Sequence, residues 1–517
     1  MTRESVPKRG RFRLPRYWVW ARRAAQYLSL LAFLSLFVRL RGIELPAALV
    51  DLPMRLDPLA MAAHLLAARS LLRSSALALL VVVLTLAVGR VWCGWLCPLG
   101  TVLDLCSFRL RRASRVPDSW RRVKYLLLGA ILVAALCSNL TLLVLDPLTI
   151  LLRALAAGVW PAFEQAITAS ERALYGVPVL RVFVSAVDRW VRPWLFAATP
   201  VDFRAGIVYA GLLVALLALN AAAPRFWCCY LCPLGGLLGL LSRIGLVRRE
   251  VSARCNACDA CARVCPTGTV HREEGYGSDP AECTVCLECL SVCPQRAVGF
   301  PVHIRPAHRH PYDPGRREFL LTLGATLLGV ALLRVERRVR SRLSIPIRPP
   351  GVREDRLLSS CLRCGACSRA CPTGAIQPAL GESGWEGLWT PVLIFRLGYC
   401  AYSCNACGQA CPVEAIPPLS LEEKRQQVLG RASIDRDRCL PWAAGQPCIV
   451  CEEMCPVPEK AVVLEEVEME QEDGRRVRLQ RPHVVEQRCI GCGICEYKCP
   501  LPGTAAIRVF ASESPRS

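Results

Sequence analysis

Apolar residues crowd the first half of the chain and thin out in the second. Ala24 to Val38, Ala76 to Val88, Tyr125 to Leu145 and Ala205 to Ala222 are runs dominated by alanine, leucine and valine. Each approaches the roughly 20 residues that cross a bilayer as a helix, the shorter ones by recruiting flanking aromatics such as Trp18 and Trp20. Four membrane helices are expected. Between Asp146 and Arg204 the apolar stretches are broken by charges, as in "LTILLRALAAGVW" and "VLRVFVSAVDRWVRPWLF", a pattern that predicts helices lying in the outer interface. A fifth apolar segment, "RREFLLTLGATLLGVALL", begins at Arg316. Beyond it the chain is polar and proline-rich, and "VVLEEVEMEQEDGRRVRLQRPHVV" alternates around an Asp-Gly turn, predicting a β-hairpin over 462–485.

With 517 residues, 53% of them hydrophobic, and a mean hydropathy of +0.32, the chain is too long for one domain and too apolar to be wholly water-soluble. Its net charge of +22 would suit a nucleic-acid binder. The charge, however, lies beside the apolar runs, in the N-terminal arm, in Arg109 to Lys124 and in Arg243 to Arg249. That is the positive-inside pattern of an inner-membrane protein, and it places these three segments in the cytoplasm. No nucleic-acid module accompanies the charge, so that class is excluded.

The 31 cysteines carry the chemistry. Cys255, Cys258, Cys261 and Cys265 follow the spacing C-x2-C-x2-C-x3-C-P, as do Cys283, Cys286, Cys289 and Cys293. So do Cys361, Cys364, Cys367 and Cys371, and Cys489, Cys492, Cys495 and Cys499. Two irregular quartets lie between the last two, Cys400, Cys404, Cys407, Cys411 and Cys439, Cys448, Cys451, Cys455. In two-cluster ferredoxins three thiolates on a tight loop hold three irons of a 4Fe-4S cubane, and the last cysteine of the partner quartet holds the fourth. Disulfides would not repeat in this pattern, and structural zinc favours two C-x2-C pairs. Six 4Fe-4S clusters are expected, with Cys293 completing the Cys255 site and Cys265 the Cys283 site. The last four quartets pair either sequentially or with one module nested in the other; the regular outer and irregular inner spacing favours nesting.

The stretch "WCGWLCPLG" at 92–100 returns as "WCCYLCPLG" at 227–235, each at the end of an apolar run. Residues four apart share a helix face, so Cys93 with Cys97 and Cys228 with Cys232 would present thiol pairs at one membrane surface, as a four-thiolate iron site or a redox-active dithiol. Cys106, Cys137 and Cys229 are read as small core residues. Other carriers are missing: there is no G-x-G-x-x-G, no C-x-x-C-H, and only His64 among six histidines near a membrane helix. A membrane part joined to iron-sulfur sites points to membrane quinol as electron donor, with His64, Asp146 and Asp188 as candidates to take its protons. No catalytic constellation is identified, so enzymatic activity is left open.

The linker "PVHIRPAHRHPYDPG" precedes Arg316 and Arg317, whose spacing to Phe319 and a short apolar run resembles a twin-arginine export signal. Clusters are inserted in the cytoplasm, so a domain that bears them must cross already folded. The basic "RVERRVRSR" that follows opposes the positive-inside rule if it lies outside. Taken together, the paired Cys-x3-Cys-Pro motifs followed by a two-cluster ferredoxin resemble the NapH and MauN family, and the twin-arginine segment followed by four quartets resembles NapG and MauM. The chain looks like a fusion of the two in that order, although the export segment lacks a clear A-x-A site and so suggests a tethered domain.

The resemblance implies quinol dehydrogenase-type electron transfer to a periplasmic redox enzyme or cytochrome, of the kind that serves a nitrate reductase. The rival is a polyferredoxin for metalloenzyme maturation or regulation. The expected fold is multidomain: a membrane bundle over 1–250 (four helices plus a fifth crossing), a two-cluster ferredoxin domain over 251–300, a linker with membrane segment over 301–342, and a four-cluster ferredoxin-like α+β domain over 343–517.

Overall fold

The computed structural model describes residues 17–40, 51–70, 76–107, 116–190, 192–196, 201–273, 275–303, 315–340, 345–470 and 476–511. The expected apolar runs are helical. They form α1 (Tyr17–Arg39), α2 (Pro58–Ala68), α3 (Ala76–Val88), α4 (Pro98–Cys106), α5 (Arg122–Leu136), α6 (Pro147–Tyr175), α7 (Arg181–Trp190), α8 (Gly206–Ala218) and α9 (Pro233–Ser242).

Helix length does not establish the four spanning helices expected. Among the described residues the helices long and apolar enough to cross a bilayer are α6 and Arg316–Glu336 of α10 (Arg316–Arg340). α3 and α8 have 13 described residues each, and α2, α4, α6 and α9 each start at a proline. The segment expected to lie at the interface is instead α6, continuous over 29 residues through a π-turn at Leu155–Val159, with about half of its apolar window buried.

Around this helical unit sit two cysteine-rich units, at opposite ends. The first joins β1 (Glu250–Val251) to β2 (Val298–Gly299), antiparallel strands that enclose the first two quartets. It meets the start of α1 through Arg22 and Glu288 at 2.8 Å, and the start of α5 through Lys124 and Glu282 at 2.5 Å. The second contains the pairs β3 (Ile376–Pro378) with β4 (Pro391–Leu393), β5 (Arg431–Ile434) with β8 (Ile507–Phe510), and β6 (Val462–Glu470) with β7 (Arg476–Val484). It meets the other end of α1, where the Arg369 guanidinium lies 4.7 Å over the Phe37 ring. Past the end of α5, Asn139 reaches Glu386 at 3.3 Å. α10 runs along α5 from the Arg122–Glu318 pair to Glu336, which accepts the Trp385 amide at 3.0 Å. Its 25 residues measure about 37 Å.

The expected hairpin is present as β6–β7, in register from Val462↔Val484 to Glu470↔Arg476. Opposite charges face each other at Glu465↔Arg481 and Glu468↔Arg478, which favours this register; the Asp-Gly turn lies outside the described residues. The helical unit turns apolar side chains outward, among them Leu28, Leu31, Leu79, Leu80, Val83, Ile207, Val214, Leu320, Leu321 and Leu328, with Ile207 91% exposed.

Glu282 is the main lock of the first unit. Burial acts to raise its pKa, but Lys124, Arg90 and Arg121 overcome it and hold the carboxyl below its ordinary range. Lys124, itself wholly buried, donates to both carboxylate oxygens at 2.5 and 2.6 Å. Glu282→Gln leaves buried cations unpaired, a loss of about 3–5 kcal/mol. In hydrogen exchange, amides of residues 281–286 are expected to lose protection while those of β5 and β8 keep it.

Candidate iron-sulfur sites

In each regular quartet the residues two and four places after the first cysteine have positive φ. They are Ala257 (55°) and Asp259 (58°), Val285 (50°) and Leu287 (61°), Arg363 (58°) and Gly365 (80°), and Gly491 (69°) and Gly493 (76°). Left-handed backbone is unfavourable for non-glycine residues and least tolerated by a β-branched one such as Val285. Successive left-handed turns wind the backbone N–H groups into a concave nest, the form that cradles anionic groups. Further amides point at thiols from outside the loops: Ala297 N to Cys293 Sγ at 3.3 Å, Ile416 N to Cys411 Sγ at 3.5 Å and Ala461 N to Cys455 Sγ at 3.4 Å. Strained loops with convergent donors and thiols fit a 4Fe-4S group.

The thiols gather as follows. Cys265 lies in the electrostatic field of Cys283, Cys286 and Cys289, and Cys293 in that of Cys261, the exchange expected for the first unit; Cys255 and Cys258 are exposed. In the second unit one cavity is lined by Cys361, Cys364, Cys367 and Cys411, and another by Cys439, Cys448, Cys451 and Cys499. Cys371 accompanies Cys400, Cys404 and Cys407, and Cys455 accompanies Cys489 and Cys492. Pairing is therefore sequential, and the nested expectation is overturned. β5 and β8 flank the fifth and sixth quartets and close them into one module. The two modules join where the Cys400 amide donates to the Cys492 carbonyl at 2.9 Å. Burial pushes the Cys283, Cys364, Cys451 and Cys492 thiols up to about 12, so iron would have to displace protons there.

The repeated Cys-x3-Cys-Pro motifs fold alike. Cys93 and Cys228 lie in π-turns, Trp92–Leu96 and Trp227–Leu231, closed by Cys97 N to Trp92 O at 2.9 Å and Cys232 N to Trp227 O at 2.8 Å. Cys97 (φ −68°, ψ 117°) and Cys232 (φ −67°, ψ 112°) are extended and begin α4 and α9. Contrary to the expectation, the paired thiols do not share one α-helical face; the i→i+5 turn and an extended cysteine bring them round instead. All four are buried in one apolar cluster with Trp92 and Trp227, and each of Cys97 and Cys232 feels the charge of thiols from both repeats. Among the described residues no three His, Cys, Asp or Glu side chains are close enough for a single metal ion.

Two residues that sequence reading passed over complete the site. Arg90 and Arg225 each stand three places before the first cysteine of a repeat. Both are buried and both reach across: Arg90 to Gly235 of the second repeat, Arg225 Nη1 to Cys93 O of the first at 3.3 Å. Asp104 fixes Arg225 through two bonds of 2.5 and 2.6 Å. A cluster bound by four thiolates is anionic, and the two guanidiniums would offset that charge. Gly94 lets the first cysteine-rich unit approach, since a Cβ there would lie 2.2 Å from Thr284 O, and Trp95 Nε1 donates to Val285 O at 2.9 Å.

Of the remaining candidates, Cys229 is buried as expected, but Cys137 is only half-buried and Cys106 is exposed, at the end of α4. Asp146 and His64 are buried in the helical unit, whereas Asp188 is on α7, paired with Arg192 at 3.2 Å; the three do not form one site. Arg316 and Arg317 are exposed at the start of α10.

These features define a multi-site ferredoxin-type electron carrier with a helical unit. Known proteins agree. A family model described as "4Fe-4S binding domain" matches residues 71–117 and 205–252, around each Cys-x3-Cys-Pro motif, and one described as "4Fe-4S dicluster domain" matches 360–416. The methylamine utilization ferredoxin-type protein MauM of Methylorubrum extorquens is 36% identical over 39% of this chain and 92% of its own length. The ferredoxin-type protein NapG of Escherichia coli is 33% identical over 35% and 78%, and NapH of the same organism 28% identical over 52% and 82%. No solved structure matches. The chain belongs to the MauM and NapG family of ferredoxin-type proteins, preceded by a half similar to NapH and MauN.

Proposed function

We propose that the protein is anchored in the bacterial inner membrane and carries electrons from quinol to a periplasmic redox enzyme. The observation that carries this is the placement of two cysteine-rich units at opposite ends of an apolar-faced helical unit, with α10 running from one to the other. Outward leucine, valine and isoleucine in such numbers suit lipid, and quinol is the donor that lives there. The α10 length exceeds a hydrocarbon core of about 30 Å, which supports a cytoplasmic first unit and an exported second one.

The six quartets would hold six 4Fe-4S clusters, and Cys93, Cys97, Cys228 and Cys232 a seventh; such clusters exchange single electrons when bound. The chain's own part is spacing and insulation. It docks the Cys286 loop against the Cys93 loop through Thr284, Val285 and Trp95. It seats the Cys361 loop on α6, where the Arg153 guanidinium lies 4.0 Å from the Trp389 ring and bonds Arg363 O at 3.3 Å.

Protein purified without oxygen is expected to contain about 28 irons per chain and to be reduced by a quinol analogue within catalytic turnover times. Full iron content with reduction by dithionite but not by quinol would remove quinol as the donor.

A further inference from the structure

A second repeat lies ahead of the cysteine repeat. Leu-Asp-Pro-Leu occurs at 56–59 and again at 145–148. Each copy starts a helix, Asp57 as N-cap of α2 and Asp146 as N-cap of α6, with proline in the first position. One oxygen of each aspartate does the capping. Asp57 Oδ1 accepts the Leu59 and Ala60 amides at 2.9 and 3.1 Å, and Asp146 Oδ2 accepts those of Leu148 and Thr149 at 3.0 Å. That leaves Asp57 Oδ2 and Asp146 Oδ1, both buried and without a partner in hydrogen-bond geometry; the Thr149 side chain lies beside Asp146 as well. The two carboxyl groups lie against each other, each acting directly on the other. Neither residue has any exposure to solvent.

Ionised carboxylates only accept hydrogen bonds, so this contact requires a proton between them. Two like charges in such proximity cannot both ionise, and the two helix N-termini favour retaining one negative charge. Charged groups on the neighbouring elements are engaged elsewhere: Lys124 with Glu282, Asp104 with Arg225, Asp51 with Arg55 and Glu354 with Arg348. Arg356 lies beside His64, and Asp355 pairs with Arg353. Arg153, two turns along α6, is the cation whose field reaches Asp146.

The helices that the pair caps also pack against the helices that the four-cysteine motifs begin, with the same symmetry. α4, which starts at Cys97, packs against the α6 turn that starts at Asp146; α9, which starts at Cys232, packs against α2, which starts at Asp57. We propose that Asp57 and Asp146 form a proton-binding dyad that takes a second proton from water when an electron enters the neighbouring four-cysteine site, and returns it when the electron leaves. In the uptake step one O–H bond forms on the remaining carboxylate and one breaks in a hydronium ion. Across roughly one helix-to-helix distance, at an effective dielectric near 20, one added negative charge changes proton affinity about tenfold. This rests on the reading of the chain as an electron carrier, but not on quinol as its donor.

The test is redox-difference infrared spectroscopy of the whole purified protein, with electrons supplied by an electrode. The carbonyl stretch of a carboxylic acid is expected to change on reduction, to shift in heavy water, and to be lost in Asp57→Asn and Asp146→Asn. Asparagine caps helices as well as aspartate, so iron content should be retained. A wild-type spectrum without this signal, or the same signal in the double variant, overturns the dyad. If the variants lose iron, dicyclohexylcarbodiimide, which attacks protonated carboxyls in apolar surroundings, is applied to the wild type. An adduct on Asp57 or Asp146 supports the shared proton, and its absence refutes it. Failure of quinol to reduce a protein that shows the infrared signal would count against the donor alone.

Discussion

Serine at Cys93, Cys97, Cys228 or Cys232 is expected to abolish electron transfer between the first cysteine-rich unit and the membrane, and to cost about four irons per chain. The four thiols come from two repeats yet lie in one buried cluster, screened by Trp92 and Trp227. No further cysteine is placed to substitute: Cys229 is turned toward Arg121, Lys124 and Glu282. Arg225 keeps Asp104 and Arg90 keeps Glu282 as partners in such a variant, so the loss falls on the site and not on the fold. The six quartets, which fold in separate units, should still assemble. Cys229→Ser is the control and should keep both iron and rate. Quinol-driven reduction in membranes, with iron and protein content for each variant, decides; wild-type values from all four would return these cysteines to a packing role.

The quartets were legible because each is a local object. Three cysteines at fixed spacing, with glycine or strained residues between them, wind one loop regardless of the rest of the chain, and Arg363 and Gly365 take the same turns as Gly491 and Gly493. Their partners were not legible in the same way. Spacing inside a quartet describes how one loop winds and says nothing of which loop lies beside it, so two irregular quartets suggested an insertion where the chain simply pairs neighbours. The Cys439 to Cys448 gap is filled by a π-turn, Leu440–Ala444, ended by Gly445 at φ 59°, which is a local detour within one module.

Helix positions were legible from apolar runs, helix lengths less so. α3 coincides with the expected Ala76 to Val88 run, but hydrophobicity does not reveal that α2 and α6 begin inside the helical unit at an Asp-Pro pair. The paired Leu-Asp-Pro-Leu segments were present in the sequence and would have marked those starts, and Asp57 with them. The docking of Glu282 onto Lys124, 158 residues away, leaves no trace in either local pattern. Such contacts arise from the packing of finished units.

Sidedness gives the remaining large effect. Protease added to intact spheroplasts is expected to cut the second cysteine-rich unit and to spare residues 251–300, with the reverse in inside-out vesicles. Both ends of α10 are tied, at Glu318 to Arg122 and at Glu336 to the Trp385 amide. The units it joins touch opposite ends of α1 and α5, so on the proposed reading a membrane around the apolar belt would separate them. If those exposed arginines act as the export signal that their spacing resembles, Lys at both Arg316 and Arg317 should leave the second unit inside. That unit would lose its seat on the helical unit: the Gln377 side chain bonds Asp202 O at 2.9 Å and Arg363 reaches Thr141 at 3.3 Å. Amides around Gly365 and Gln377 should accordingly exchange faster in the Lys variant, with its iron unchanged. Protection of both units in intact spheroplasts, with cleavage of both in inside-out vesicles, would place the two on one side and reduce α10 to a peripheral helix.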